Sequence, residues 1–275
     1  MLLVVVGAAL VAYWAWGPRW LAWRRARLGA QPFPAAWRQI VRQRVPLVAR
    51  LAADVQQGLR QRMQVFIAEV PFIGCQGLTI TEEMRVVVAA QACLLVLNRP
   101  QGFDRVREVL LYPGPFRVRR AGVDAAGVHS EESQVLSGES WEQGKVILSW
   151  PDCIEGAADP VDGVNVVIHE FAHQLDQVDG AANGAPPDAL RQHQWSAVWS
   201  ESYERIRRGF YDLADGQEPL FDDYALTAPA EFFACACELF FERGSALQWQ
   251  HPALYAQLAR YFGVQTADWA PISVS

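Results

Sequence analysis

Residues 163–176 read Gly163-Val-Asn-Val-Val-Ile-His-Glu-Phe-Ala-His-Gln-Leu-Asp176. Val164, Val166, Val167, Ile168, Phe171, Ala172 and Leu175 make the run mostly apolar, as a buried helix would be. His169 and His173 stand four apart, so on a helix they share one face, a turn from each other. Two neutral imidazoles at that separation can hold one zinc ion. Glu170 then falls beside the open coordination position, where a carboxylate can take a proton from water. A buried helix has little reason to carry these three polar groups unless something pairs with them. The competing reading is two histidines satisfied by hydrogen bonds within a core.

Two histidines do not complete a catalytic zinc site, so a third protein ligand is needed. The best candidate is Glu231, in Ala228-Pro-Ala-Glu-Phe-Phe-Ala-Cys235. Pro229 suits a first helical turn. An acid in a stretch otherwise apolar through Ala236 needs a buried partner, which a metal provides. Glu238, Asp222 and His193 are the alternatives. Asp176 follows His173 by three residues and His169 by seven, so it either orients a ligand imidazole or closes the helix end on backbone. Tyr224, seven residues before Glu231, could donate to a developing oxyanion, although tyrosine is more often structural.

The 275 residues, 51% apolar and 20% charged, suffice for a sizeable core in one large domain or two modest ones. The net charge of −6 gives no reason to expect a nucleic-acid partner. The cysteines Cys75, Cys93, Cys153, Cys235 and Cys237 are odd in number and form no Cys-x-x-Cys pair. They argue for a reducing compartment and read as small buried apolar residues.

Met1 to Trp16 carries no charge, and Arg19, Arg24, Arg25 and Arg27 follow it. Sixteen helical residues span about 24 Å, short of the roughly 30 Å hydrocarbon core. Extended to Trp23, with Arg19 snorkelling, the segment could cross. Positive charge only after the segment would put the rest of the chain in the cytoplasm. The expectation is an anchor over residues 1–28, meeting the inner membrane through residues 1–23, and a catalytic domain over residues 29–275. A surface-packed helix and a cleaved signal peptide are the rival readings.

Between these landmarks the pattern predicts a helix from Ala35 to about Gly58 and another over Leu59–Glu69. A turn and short strand follow over Gly74–Thr81, then a buried helix over Met84–Leu97 with Thr81 as its N-cap. Strands are expected at Val109–Tyr112, Phe116–Arg119 and Lys145–Trp150, the last led into by Gly138–Trp141. Residues 152–162 read as a loop. Later helices are expected over Ala189–Arg208, Pro229–Arg243 and part of His251–Trp269. A strand shortly before the histidine helix would offer an edge to an extended peptide.

Across these blocks the chain resembles the Mlc titration factor A family of zinc peptidases. The resemblance rests on Gly138-Glu-Ser-Trp141, Val146-Ile-Leu-Ser-Trp150, Asn165 to Asp176, Tyr224-Ala-Leu-Thr-Ala-Pro-Ala-Glu-Phe-Phe-Ala234, Gln91-Ala-Cys-Leu-Leu95 and Tyr112-Pro113. The histidine helix is also similar to that of the anthrax lethal factor protease domain, including an aspartate at the place of Asp176. The resemblance implies an α+β fold: a zincin-like metallopeptidase domain with additional helices, here joined to the N-terminal apolar helix. It implies His169, His173 and Glu231 as zinc ligands, Glu170 as general base and Tyr224 as transition-state stabiliser. It further implies aminopeptidase-type activity on a peptide or protein substrate and a partner of the Mlc repressor type. A regulatory binding protein with a mainly structural zinc site is the alternative. The apolar amino terminus departs from the family pattern and puts a purely cytosolic location in question.

Overall fold

The computed structural model describes residues 2–99, 102–123, 129–136, 138–141, 144–180, 182–190, 194–209 and 219–269. The chain opens with α1 (Leu2–Gly29), α2 (Ala35–Arg44), a 3-10 turn at Pro46–Arg50 and α3 (Ala53–Glu69). The helix expected across residues 35–58 is therefore two elements. Pro46 has no N–H to give and drives Val45 out of the helical region, to φ −131° and ψ 71°. Gly58 is carried inside α3 instead of ending a helix.

Strand β1 (Phe72–Gly74) precedes α4 (Glu82–Ala92), which a 3-10 turn extends over Cys93–Val96. Thr81 caps α4 as expected, its hydroxyl accepting from the Met84 amide at 3.2 Å. Strands β2 (Glu108–Tyr112), β3 (Phe116–Val123), β4 (His129–Leu136), β5 (Gly138–Trp141) and β6 (Lys145–Ser149) follow. They form a sheet in the order β1-β2-β6-β5 and a separate β3–β4 hairpin. The first three strands are parallel, with Ile73 beside Leu110 and Leu110 beside Ile147. β5 runs antiparallel to β6, with Ser140 beside Val146. Val109, Leu111, Val146 and Leu148, which share one face of the sheet, are fully buried, and that face is turned to the core.

Residues 152–162 are not the expected loop. Helix α5 (Trp150–Ala158) starts directly where β6 ends, because Pro151 in a first turn loses no hydrogen bond, so the proline that closes the strand also stands in the first turn of a helix. The remaining helices are α6 (Val166–Asp176), α7 (Pro187–Leu190), α8 (Trp195–Gly209), α9 (Pro229–Glu242), α10 (Gly244–Gln250) and α11 (Pro252–Phe262). Helix α6 packs on α9 and touches α4, α5 and the β5–β6 pair, so it runs through the middle of the core. Phe171 on α6 meets Phe66 and Phe103 at 5.6 and 4.8 Å between ring centres, sealing its far side. The expected mixture of helices with a small sheet is what the chain forms.

Helix α1 leans on α3 through ion pairs. Arg24 and Arg25 reach the two oxygens of Glu69 at 2.8 and 2.9 Å, and Arg25 also reaches Asp104 at 2.7 Å. Among the described residues no helix is long and apolar enough to cross a membrane. All five cysteines are free thiols.

Candidate metal centre

Helix α6 begins at Asn165, whose side-chain oxygen accepts from the Ile168 amide at 3.0 Å, an N-cap that fixes where the helix starts. Four residues on stands His169, then Glu170, and a turn later His173. All three are at most 8% exposed. Facing them is α9, with Pro229 at its first turn and Glu231 just behind, where the helix dipole favours a carboxylate. Glu231, Cys235, Glu238 and Glu242 fall at i, i+4, i+7 and i+11, a single stripe turned toward α6.

Three acceptor atoms converge between the two helices. His169 Nε2 lies 3.2 Å from His173 Nε2 and 3.1 Å from a Glu231 carboxylate oxygen, and that oxygen lies 3.4 Å from His173 Nε2. Ligands held tetrahedrally at about 2.0–2.1 Å from a zinc ion sit roughly 3.3 Å from one another, so the donor set and its spacing fit that ion. Lone pairs brought this close repel unless a cation stands among them. Burial opposes charge on His169, yet the Glu238 and Glu231 carboxylates outweigh it and hold the imidazole well above its ordinary value. Burial likewise raises Glu231, and its contacts with His169 and His173 overcome this to hold the carboxyl well below the usual range. Both directions describe one fact: the cluster attracts positive charge.

The other nitrogen of His169 is already engaged. Its Nδ1–H donates to Glu238 at 2.8 Å, which leaves the Nε2 lone pair facing the cleft. The second Glu238 oxygen accepts from the backbone amide of Asn165. The Asn165 side-chain amide in turn donates to Gln91 at 2.8 Å, to Glu242 at 2.9 Å and to the Gly156 carbonyl at 3.1 Å. Burial pushes Glu242 up to about 9. Arg50 closes the network from outside by donating to the Glu242 backbone carbonyl at 3.1 Å. Among the sequence alternatives for a third ligand, Glu238 thus serves as the partner of His169. Asp222 is spent on the Ala225 amide at 3.0 Å, and His193 lies outside the described residues. The place of Glu238 was open to the reading of α9 as a stripe; the role of Gln91, 74 residues from Asn165, had no local signal.

Asp176 is wholly buried and accepts from the backbone amides of Gly184 and Ala185 at 2.7 and 2.9 Å. It closes the helix end on backbone rather than orienting an imidazole. Tyr224, 47% exposed in a 3-10 turn, sets its ring 6.0 Å from that of His169. Burial first, and then the Glu231 carboxylate, push its phenol above the usual range. Cys235 also lies beside His169, and burial pushes its thiol up to about 11. It is therefore less simply apolar than its sequence suggested.

A buried pair of histidines with a glutamate between them, completed by a carboxylate from a second helix, has the constitution of a metallopeptidase centre. Residues 20–263 match the glucose-regulated metallo-peptidase M90 family, and the chain belongs to it. It is 38% identical over 258 residues to an uncharacterized protein of Synechocystis sp., covering 92% of both chains. It is 36% identical over 250 residues to proteins named Mlc titration factor A in Yersinia pestis and Yersinia pseudotuberculosis, covering 89% of each.

Proposed function

We propose that the chain is a zinc-dependent peptidase of aminopeptidase type, with a zincin-like catalytic domain over residues 29–275. His169, His173 and Glu231 are the zinc ligands. The observation that carries the reading is their spacing of 3.1–3.4 Å between ligand atoms. Zinc, when bound, supplies Lewis acidity to the scissile carbonyl and to the attacking water. Glu170, one step along α6 from His169, takes a proton from that water and returns it to the leaving amine. The Tyr224 hydroxyl donates to the oxyanion that develops at the carbonyl. The strand before α6, β6, is paired on both sides by β2 and β5, so the edge expected of it passes to β5, the end strand among the described residues, which accepts the substrate backbone as an added strand.

The name of the Yersinia relatives favours a second role beside the first, binding of an Mlc-type transcriptional repressor. A chain that acted only by such binding would have no use for Glu170 beside its ligands. We place the protein at the cytoplasmic face of the inner membrane, with residues 1–23 as the part that meets the bilayer.

The test is hydrolysis of aminoacyl anilides and short peptides by the zinc-loaded chain beside Glu170→Gln. The variant should keep its zinc and lose activity by a factor of about 10²–10⁴. Wild-type turnover in the variant would remove Glu170 from the mechanism. Silence from both, with zinc present, would favour the binding role alone.

A further inference from the structure

We propose that the outward face of α1 is a docking surface for anionic lipid headgroups, formed by Trp16, Trp20 and Trp23 with Arg19 and Arg27. The three indoles are 75%, 60% and 56% exposed, and unlike the isolated Trp249 they form a contiguous group. They stand at i, i+4 and i+7, so they form one stripe along the helix. Arg19 and Arg27 are exposed, and Arg27 lies over the Trp23 ring at 5.6 Å. Arg25 projects from the opposite side and is held there by Glu69 and Asp104. That clamp turns the indole stripe away from the rest of the chain.

The occupant follows from the chemistry. Indole rings are amphipathic and settle at the headgroup level of a bilayer, with arginines beside them reaching anionic phosphates. The stripe continues from a stretch, residues 1–18, that holds no charged side chain, which suits a bilayer and not a nucleic acid. Charge is also segregated along the sequence. Residues 1–62 carry ten arginines against the single acid Asp54, a net +9, while the remainder holds 14 basic and 29 acidic residues, a net −15. Because Arg24, Arg25 and Arg44 are paired in the fold with Glu69, Asp104 and Glu83, the attraction to an anionic surface rests on the outward face of α1 and not on the whole segment. The proposal rests on the membrane reading of residues 1–23 and adds to it the contacting face and the lipid chemistry.

Co-sedimentation of the full chain with vesicles tests both layers. The probes are phosphatidylcholine alone and phosphatidylcholine with about a third phosphatidylglycerol. The chain should bind the anionic vesicles at least roughly tenfold more tightly, and the preference should fade in high salt. The triple variant Trp16→Ser, Trp20→Ser, Trp23→Ser should lose at least about tenfold in binding with an unchanged melting temperature, since the residues are exposed. Arg19→Gln with Arg27→Gln should erase the preference for anionic lipid. Binding by the parent and equally by the triple variant would overturn the stripe while leaving the membrane reading standing. Binding by the parent to neither vesicle would overturn both. A triple variant that loses self-association, from a parent that ignores vesicles, would assign the stripe to a second copy of the chain and overturn the lipid proposal.

Discussion

Glu238 decides which nitrogen of His169 faces the cleft. With its carboxylate fixed on Nδ1 at 2.8 Å and on the Asn165 amide, the imidazole has one tautomer and one orientation. Glu238→Ala removes that choice, and zinc affinity should fall about 10- to 100-fold in a chelator competition. An affinity equal to the parent's would show that the ligands orient themselves. Glu242, two bonds of the network away, makes a pH-dependent contribution. Its carboxyl rises from the ordinary range to about 9 on folding, so the folded chain keeps a proton that the unfolded chain gives up. Stability from this group is therefore present at low pH and lost as pH climbs from the unfolded value toward 9. Glu242→Gln does not titrate, so its melting temperature should gain on the parent's between pH 6 and pH 9. A constant difference across that range would remove Glu242 as the source. At this scale the sequence made the cluster of His169, His173 and Glu231 legible, since polar groups in an apolar run demand a partner. It offered Glu238 as a rival ligand because spacing along a helix says which side a carboxylate is on, not which atom it touches.

Helices α6 and α9 must keep their relative position for the three ligand atoms to stay together, and the loop after α6 helps to hold it. Asp176 grips Gly184 and Ala185 from the end of α6, and Gly184 presses on the start of α9. Gly184 has φ +74°, and a Cβ there would come within 2.3 Å of the Pro229 carbonyl oxygen, two residues before Glu231. Gly184→Ala adds left-handed strain of about 1–2 kcal/mol to that clash. It should lower the melting temperature and also release zinc more readily than the parent. A variant that melts earlier with unchanged zinc affinity would confine Gly184 to stability. Elements with strong punctuation were legible, as Pro229 opened α9, whereas α6, expected from about Gly163, starts after the Asn165 cap. The elements that were missed had misleading punctuation. Pro151 closed the β6 strand as expected but also stood in the first turn of α5 where a loop was expected, and β4, His129–Leu136, is too polar to announce a strand without its partner β3.

At the scale of the whole molecule, the candidate centre is a cross-link between distant parts of the sequence. His169 and Glu231 are 62 residues apart, and an ion held between them binds the folded chain alone, because the unfolded chain has no such cluster. The mixture of helices with a small sheet and the meeting of His169, His173 and Glu231 could be read in advance because α6 and α9 are each locally decided. How the rest closes around them could not, since Gln91, Arg50 and Gly156 reach the network only through tertiary packing. Ion binding to the folded state alone stabilises it by about 2.7 kcal/mol when free zinc is a hundredfold above its dissociation constant. For a chain of this size that corresponds to roughly 5–10 °C in melting temperature. Chelation should therefore lower the midpoint of the zinc-loaded chain by about that much, and added zinc should restore it. Glu231→Ala, which leaves two imidazoles without their carboxylate, should melt at one temperature with or without chelator. If instead the parent ignores the chelator while holding stoichiometric zinc, the ion sits where it does not join α6 to α9. If the variant responds as the parent does, Glu231 is not the residue that closes the link.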